Sequence, residues 1–274
     1  NYPCDAALSG LNGCTGQNTP FTYGAAWPAD YPANPLASDP SAGNQEQMAA
    51  FSSRGPTDDN RIKPDVVAPG TWILSGYSDL FQQGYDTGPN AQNGAWQYDG
   101  WGNPLNAQYK WMGGTSMSNP LTAGGAAVVR DYYKKVHNRD ASAALVKATL
   151  INSAVDMTDE DNNPGTTNIG IPNIHEGWGR VNLAAATDGR PFVENSAGIG
   201  TGGSAAYNFT ASGGPVKISL VWTDFPSTET ASINLVNDLD LTVTGPGGTY
   251  RGNVFANGSS QTGGTRDSRN NVEN

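Results

Sequence analysis

The segment Gly113-Gly114-Thr115-Ser116-Met117-Ser118-Asn119-Pro120 joins a hydroxyl nucleophile to local geometry that could activate it. A serine in the first turn of a helix sits at the positive end of the helix dipole. It also lies beside backbone N–H groups that no intrahelical carbonyl satisfies, and such groups can hold an oxyanion. The glycines before it let an extended substrate and the chain approach closely. The same string fits a plain helix cap, with Thr115 as the capping residue. Acyl transfer from a serine further needs a base within about 3 Å of the hydroxyl. The two histidines, His137 and His175, both follow Ser116. His137 lies 21 residues on, roughly 30 Å away along a continuous helix, and reads as a solvated helix end. His175, just before Glu176 and Gly177-Trp178-Gly179, reads as a packed or surface loop residue. No general base is expected within this chain.

Elements of two kinds must position these residues. A helix is expected from Thr115-Ser116 to about Tyr133, with the small residues Ala123, Gly124, Ala127 and Val128 allowing close packing. A second, about Ala141 to Ala154, places Leu145, Val146, Thr149 and Leu150 on or beside one face, with Asp140 as its cap, and a short one covers Val181 to Ala186. Short strands are expected at Met48–Phe51, Ile62–Ala68 and Trp72–Leu74. Between Ser75 and Tyr109 runs a long loop carrying Trp96, Tyr98, Trp101 and Tyr109, followed by Trp111. After residue 203 the period changes: Ala205–Ala211, Val216–Thr223, Leu239–Thr244 and Tyr250–Phe255 read as strands with no helix between them. The division is therefore an α/β part over residues 1–195 and an all-β part over residues 196–274.

The composition narrows the function classes. At 274 residues and 36% hydrophobic content, folding should bury roughly 70% of the unfolded surface, enough for one large core or two unequal ones. A net charge of −10 repels nucleic acid and anionic membrane. No apolar run approaches a membrane span, and Asn1-Tyr2-Pro3 is not the opening of a signal peptide, so the targeting segment of a secreted parent is expected outside this chain. Low charge with abundant Gly, Asn, Ser and Thr fits an extracellular surface, where Cys4 and Cys14 could close a small disulfide loop.

Gly114 to Pro120 resembles the nucleophile motif of the subtilisin-like serine proteases, Gly-Thr-Ser-Met-Ala/Ser-x-Pro, at every defined position. Phe51-Ser52-Ser53-Arg54-Gly55-Pro56 and Lys63-Pro64-Asp65-Val66-Val67-Ala68-Pro69-Gly70 resemble the two segments that precede it in that family, in the same order. Gly177-Trp178-Gly179-Arg180-Val181-Asn182 resembles the close of the family's catalytic domain. Leu220-Val221-Trp222-Thr223-Asp224 and Asn237-Asp238-Leu239-Asp240-Leu241 resemble the β-sandwich that follows it in the alkaline-protease branch.

The resemblance implies a three-layer α/β subtilisin-like domain, present in part, followed by a β-sandwich or jelly-roll-like domain. Four recognisable strands are too few for a closed eight-stranded jelly roll, so that domain is expected to be incomplete. It implies peptide-bond hydrolysis of polypeptide substrates with Ser116 as nucleophile, its backbone N–H available to the oxyanion hole, and Gly114, Thr115 and Met117 bordering the site. In this family the functional residues run Asp, His, Asn, Ser. The base, the orienting acid and the oxyanion asparagine are then expected in an upstream half of the same protein, the partner this chain would need.

Ala42-Gly43-Asn44 mimics the family's asparagine segment, yet no buried apolar strand precedes it, so Asn44 is expected to make a turn. The chemistry itself needs no cofactor. Structural calcium is an expectation at Asp224, Asp238 and Asp240, which serve equally as strand-edge charges, and the loop Asp156 to Asp161 has a similar look beside a plain solvated reading. A second reading makes the β-domain a peptide- or carbohydrate-binding module beside a catalytically degenerate neighbour, with the aromatic insert as its contact surface.

Overall fold

The computed structural model describes residues 22–76, 103–104, 109–159, 168–211 and 213–274. Cys4, Cys14, most of the aromatic insert and the end of the acidic loop lie outside them. The chain divides into two compact units, one built from residues 1–53, 68–123 and 157–168 and the other from 54–67, 124–156 and 169–274.

The first unit is organised by aromatic rings. Thr22 caps the short helix α1 (Tyr23–Ala26), its Oγ1 accepting from Ala25 N at 3.2 Å. Tyr23 is buried and its hydroxyl accepts from Ala50 N at 3.0 Å; burial, only partly opposed by that bond, pushes the phenol up to about 12. Trp27 stacks on Trp72 at 6.2 Å and 16° and meets Phe51 edge-on at 5.7 Å. A small antiparallel sheet follows, with β3 (Tyr109–Met112) between β1 (Ile73–Gly76) and β2 (Asn103–Pro104). The run Met48–Phe51 forms no strand; it ends in a turn, and only the neighbouring Gln47 makes a bridge, to Asp159. Among the described residues no second strand lies alongside to complete a ladder.

Helix α2 (Thr115–His137) extends one turn beyond the expected end, carried by Lys134, Lys135 and His137, whose charges suit a helix C-terminus. Its buried residues are Gly125, Val129 and Tyr133, whereas Ala123, Gly124, Ala127 and Val128 are exposed. In the second unit Val129 and Tyr133 pack with Leu145, Val146 and Leu150 of α3 (Ala143–Ser153) and with Ala186 of α4 (Leu183–Ala186). Gly125 leaves room for Leu183, since a methyl group there would stand 3.1 Å from Leu183 Cδ2. The cap of α3 is Ser142, whose Oγ accepts from Leu145 N at 3.1 Å; Asp140, the expected cap, pairs with Lys134 instead. Buried Ala141 delays entry into the helix by two residues.

A second core in this unit joins Ile151, Trp178 and Val272, with Phe255 edge-on to Trp178 at 5.5 Å. Trp178 gets there because its two neighbours are glycine. Gly177 has φ +62°, and a Cβ there would collide with the Pro64 carbonyl oxygen; Gly179 has φ +111°, and a Cβ there would strike the Val155 carbonyl. The segment around Asp65 lies against this turn through Trp178 N to Asp65 O at 3.0 Å and Val67 N to Gly179 O at 3.0 Å. Ile62–Ala68 is therefore a bridge at Val67 rather than a strand. Asp59, nearly buried, accepts from Thr57 Oγ1 at 2.6 Å, Asn234 Nδ2 at 2.7 Å and Arg61 Nε at 2.9 Å. Those bonds outweigh its burial and hold its carboxyl far below the usual range.

The strand-rich end contains two antiparallel sheets among the described residues. One pairs β4 (Leu220–Val221) with β8 (Val272–Glu273); the other has β6 (Gly248–Ala256) between β5 (Thr242–Gly245) and β7 (Ser259–Thr262). Asn257 and Gly258, at φ +51° and +71°, turn β6 into β7, which the sequence reading missed. Among the described residues Ala205–Ala211 finds no strand partner, with Tyr207 and Phe209 exposed, and Val216–Thr223 shrinks to two paired residues. A mixed α/β region is thus followed by a strand-rich one.

Glu273 of β8 is 1% exposed; its carboxylate accepts from Leu241 N, while Oε1 has no partner. Burial, reinforced by Asp267, Asp240 and Asp238, raises it from 4.5 to about 7. A native state that holds this proton more tightly than the unfolded chain gains stability that is complete below about pH 4.5 and lost as pH rises to about 7. The carboxyl should cost the second unit about 3 kcal/mol at pH 8 relative to pH 4. Urea unfolding of Glu273→Gln should show higher stability than the parent at pH 8 and little difference at pH 4; equal stabilities at pH 8 would contradict the burial of an acid at this position.

Candidate functional site

Met112, the last residue of β3, pairs with Ile73, and the chain enters α2 at Thr115 after Gly113 and Gly114. Gly114 has φ +143°, and its N–H donates to the Gly70 carbonyl at 2.6 Å while its own carbonyl accepts from Met117 N at 3.0 Å. A methyl group on Gly70 would lie 3.1 Å from Gly114 O and 3.3 Å from Ser118 Cβ. This contact explains why the Ala68-Pro69-Gly70 segment and the serine segment occur together: one backbone braces the other.

Thr115 is the first helical residue rather than a side-chain cap, and its carbonyl accepts from Ser118 Oγ at 3.0 Å. Ser116 is exposed, and among the described residues no group bonds its Oγ. Its N–H lies in the first turn, where no intrahelical acceptor exists. Pro120 has no N–H, so the i+4 bond to the Ser116 carbonyl cannot form. Met117 is half-buried, its sulfur 4.0 Å from the point where a Gly114 Cβ would stand. The arrangement offers a hydroxyl, an adjacent N–H and the positive helix end to an incoming carbonyl.

The remaining candidates do not join it. His137 closes the helix that Ser116 opens, its Nε2 3.3 Å from Tyr132 OH and its ring against Phe192 at 5.0 Å. His175 is half-buried in the turn bridged by Asn173 and Gly177, its N–H donating to Asn173 Oδ1 at 2.9 Å. Asn44 makes a turn: its Oδ1 accepts from Glu46 N and its Nδ2 donates to Asp159 Oδ2, both at 2.9 Å. Asp159, from the acidic loop, thereby has a structural partner that the sequence did not disclose.

Asp224 accepts from Phe225 N, Val236 N, Asn237 N and Asn237 Nδ2 at 2.7–3.0 Å. Burial opposes its charge, yet these donors hold its carboxyl below the usual range. Asp240 pairs with Arg266 at 2.6 Å, and Asp238 is raised by burial and then by Asp240. Among the described residues no three Asp, Glu, His or Cys side chains gather into a metal-holding group.

The subtilase family model matches residues 16–200. A serine protease/ABC transporter B family protein of Dictyostelium discoideum, tagD, is 29% identical over 325 residues, an alignment covering 98% of this chain and 17% of the relative. The serine protease/ABC transporter B family protein tagA of the same organism is 32% identical over 76% of this chain and 12% of its own length. The serine protease AprX of Bacillus subtilis is 32% identical over 54% of the chain and 27% of its own length. The chain therefore spans about an eighth to a quarter of the length of these relatives.

Asn44→Ala removes two exposed side-chain bonds and should cost about 1 kcal/mol of stability. Labelling of Ser116 by a fluorophosphonate, measured in a longer protein that carries the upstream half, should change less than twofold. A loss of about a hundredfold would instead make Asn44 an oxyanion donor.

Proposed function

The chain belongs to the subtilase family, and from that premise we propose that it supplies the nucleophile segment of a serine endopeptidase. The observation that carries this reading is the exposed Ser116, presented by the Gly114 turn in the first turn of α2. Ser116 Oγ attacks the scissile carbonyl of a polypeptide, a histidine takes its proton, and the Ser116 N–H with an asparagine side chain holds the oxyanion. The histidine, its orienting aspartate and the asparagine come from an upstream part of the same protein. Two findings support this division: neither His137 nor His175 bonds Ser116, and the small apolar residues Ala123, Gly124, Ala127 and Val128 are exposed on α2 where a further layer would cover them. That layer would complete the three-layer α/β fold, and further strands would complete the β-domain. An extracellular setting is part of the same proposal.

An unassisted serine hydroxyl is a poor nucleophile at neutral pH. The isolated 274-residue chain should therefore hydrolyse casein no faster than its Ser116→Ala variant. Addition of the upstream half should restore fluorophosphonate labelling at Ser116. Serine-dependent cleavage at an ordinary protease rate by the isolated chain would require a base within it, and His175 would be tested first. An assembled protein that never labels would refute the nucleophile assignment.

Met117 adds a redox test. Sulfoxide formation would place a polar oxygen beside the oxyanion position. In the assembled enzyme, peroxide should lower turnover well before it lowers the melting temperature. Undiminished turnover with Met117 shown by mass spectrometry to be oxidised would sink this expectation.

A further inference from the structure

Trp72 has φ +54°, a left-handed backbone that a bulky side chain rarely adopts. It stands where the β1–β3 ladder would continue past the Ile73–Met112 pair toward Gly113. A methyl group on Gly113 would lie 3.5 Å from Trp72 N and 3.7 Å from the Gly70 carbonyl oxygen, so these two backbones run side by side. Two residues before Trp72, that Gly70 carbonyl receives the Gly114 N–H at 2.6 Å. The side chain is held as well: Trp72 is 9% exposed, and its indole stacks on Trp27 at 6.2 Å and 16° and donates from Nε1 to Ser41 Oγ at 2.8 Å. Trp27 is itself set by Phe51 at 5.7 Å and Tyr31 at 6.2 Å. Strained residues of this kind persist only where their surroundings over-determine them, and they cluster at functional sites.

We propose that Trp72 is a positioning residue for Ser116: the indole, clamped by Trp27 and Ser41, holds the left-handed backbone that keeps the Gly70 carbonyl on the Gly114 N–H and so fixes the turn presenting the serine hydroxyl. The inference rests on the reading of Ser116 as nucleophile. In the absence of the clamp, residue 72 relaxes toward an ordinary conformation, the Gly70 carbonyl shifts, and the first turn of α2 loses its brace. A misplacement near 1 Å at a nucleophile can cost about a hundredfold in rate.

The test uses the full-length protein with Trp72→Leu, Trp72→Phe, Ser41→Ala and Ser116→Ala, followed by fluorophosphonate labelling, kcat and KM on a peptide substrate, and melting temperature. Ser116→Ala should abolish labelling; persistent labelling would defeat the nucleophile reading and leave Trp72 nothing to position. With that control satisfied, Trp72→Leu, which loses both stack and hydrogen bond, should lower labelling rate and kcat at least tenfold with KM within twofold, well below its melting temperature. Trp72→Phe, which keeps a stacking ring, should recover part of that loss, and Ser41→Ala should fall between it and the parent. A folded Trp72→Leu protein with parental labelling overturns the proposal. If Trp72→Leu does not fold, parental kcat in both Trp72→Phe and Ser41→Ala overturns it, and a two- to fivefold fall in kcat at constant KM supports it.

Discussion

Two residues separate the end of an antiparallel strand at Met112 from the start of a helix at Thr115, and this short reversal governs how the Ser116 segment is presented. Both are glycine, and the second adopts φ +143°. The reversal leaves the Gly114 N–H outside both sheet and helix, and the Gly70 carbonyl takes it at 2.6 Å. Without that acceptor a polar backbone group beside the helix start would go unpaired, at a cost of about 1–3 kcal/mol if buried. The segment Pro69 to Trp72 is thus tied to the serine turn, and a side chain on Gly70 would crowd Gly114 O at 3.1 Å and Ser118 Cβ at 3.3 Å, contacts to which these neighbours would have to yield. The aromatic cluster behind Trp72 serves the same joint from the other side.

How much of this could be read from the sequence follows from the range of the interactions involved. Helices α2 and α3 were legible because their apolar spacing and caps are local, and the errors were confined to ends: Ser142 for Asp140, and an extra turn to His137. Strands were over-read. Ile62–Ala68 and Ala205–Ala211 have suitable residues, but a strand exists only when a partner lies alongside, and here the first finds a single bridge and the second finds none among the described residues. The Asn257-Gly258 hairpin went unread although its turn residues are a strong short-range signal, because Ser259–Thr262 is polar and has no apolar alternation.

The site shows the same division. The placement of Ser116 in the first turn of a helix was legible because its environment, two glycines before and a helix after, is encoded within eight residues. The Gly70 brace, the Trp72 backbone and the bond from Asn44 to Asp159 join positions 41 to 115 residues apart, and no periodicity announces them. Only the family resemblance marked the Pro69-Gly70 segment as belonging with the serine. Acidic residues were the least legible of all: Asp224 and Asp59 spend their oxygens on the protein's own N–H and O–H donors, whereas Glu273 is buried with one oxygen unpaired.

Charge placement along α2 gives these observations a common sense. The protein has 25 acidic residues against 15 basic ones, and acids are favoured in the first turn of a helix, where they offset a positive end equivalent to about half a charge. The first turn of α2 has none, whereas its last turn collects Lys134, Lys135 and His137 at the negative end. One terminus is compensated and the other is left bare in a chain with a surplus of the very residues that would compensate it. An acid in that turn would occupy the N–H groups beside Ser116 and, on the proposed function, repel an oxyanion there. Pro120 extends the same economy, since it removes an intrahelical bond one turn in without burdening the free N–H groups at the start. The stability that α2 forgoes at its N-terminus is recovered by the Gly70 brace and by the packing of Val129 and Tyr133 further along. A helix built in this way leaves its positive end without an acidic side chain of its own first turn, which is the setting that the proposed role of Ser116 would require.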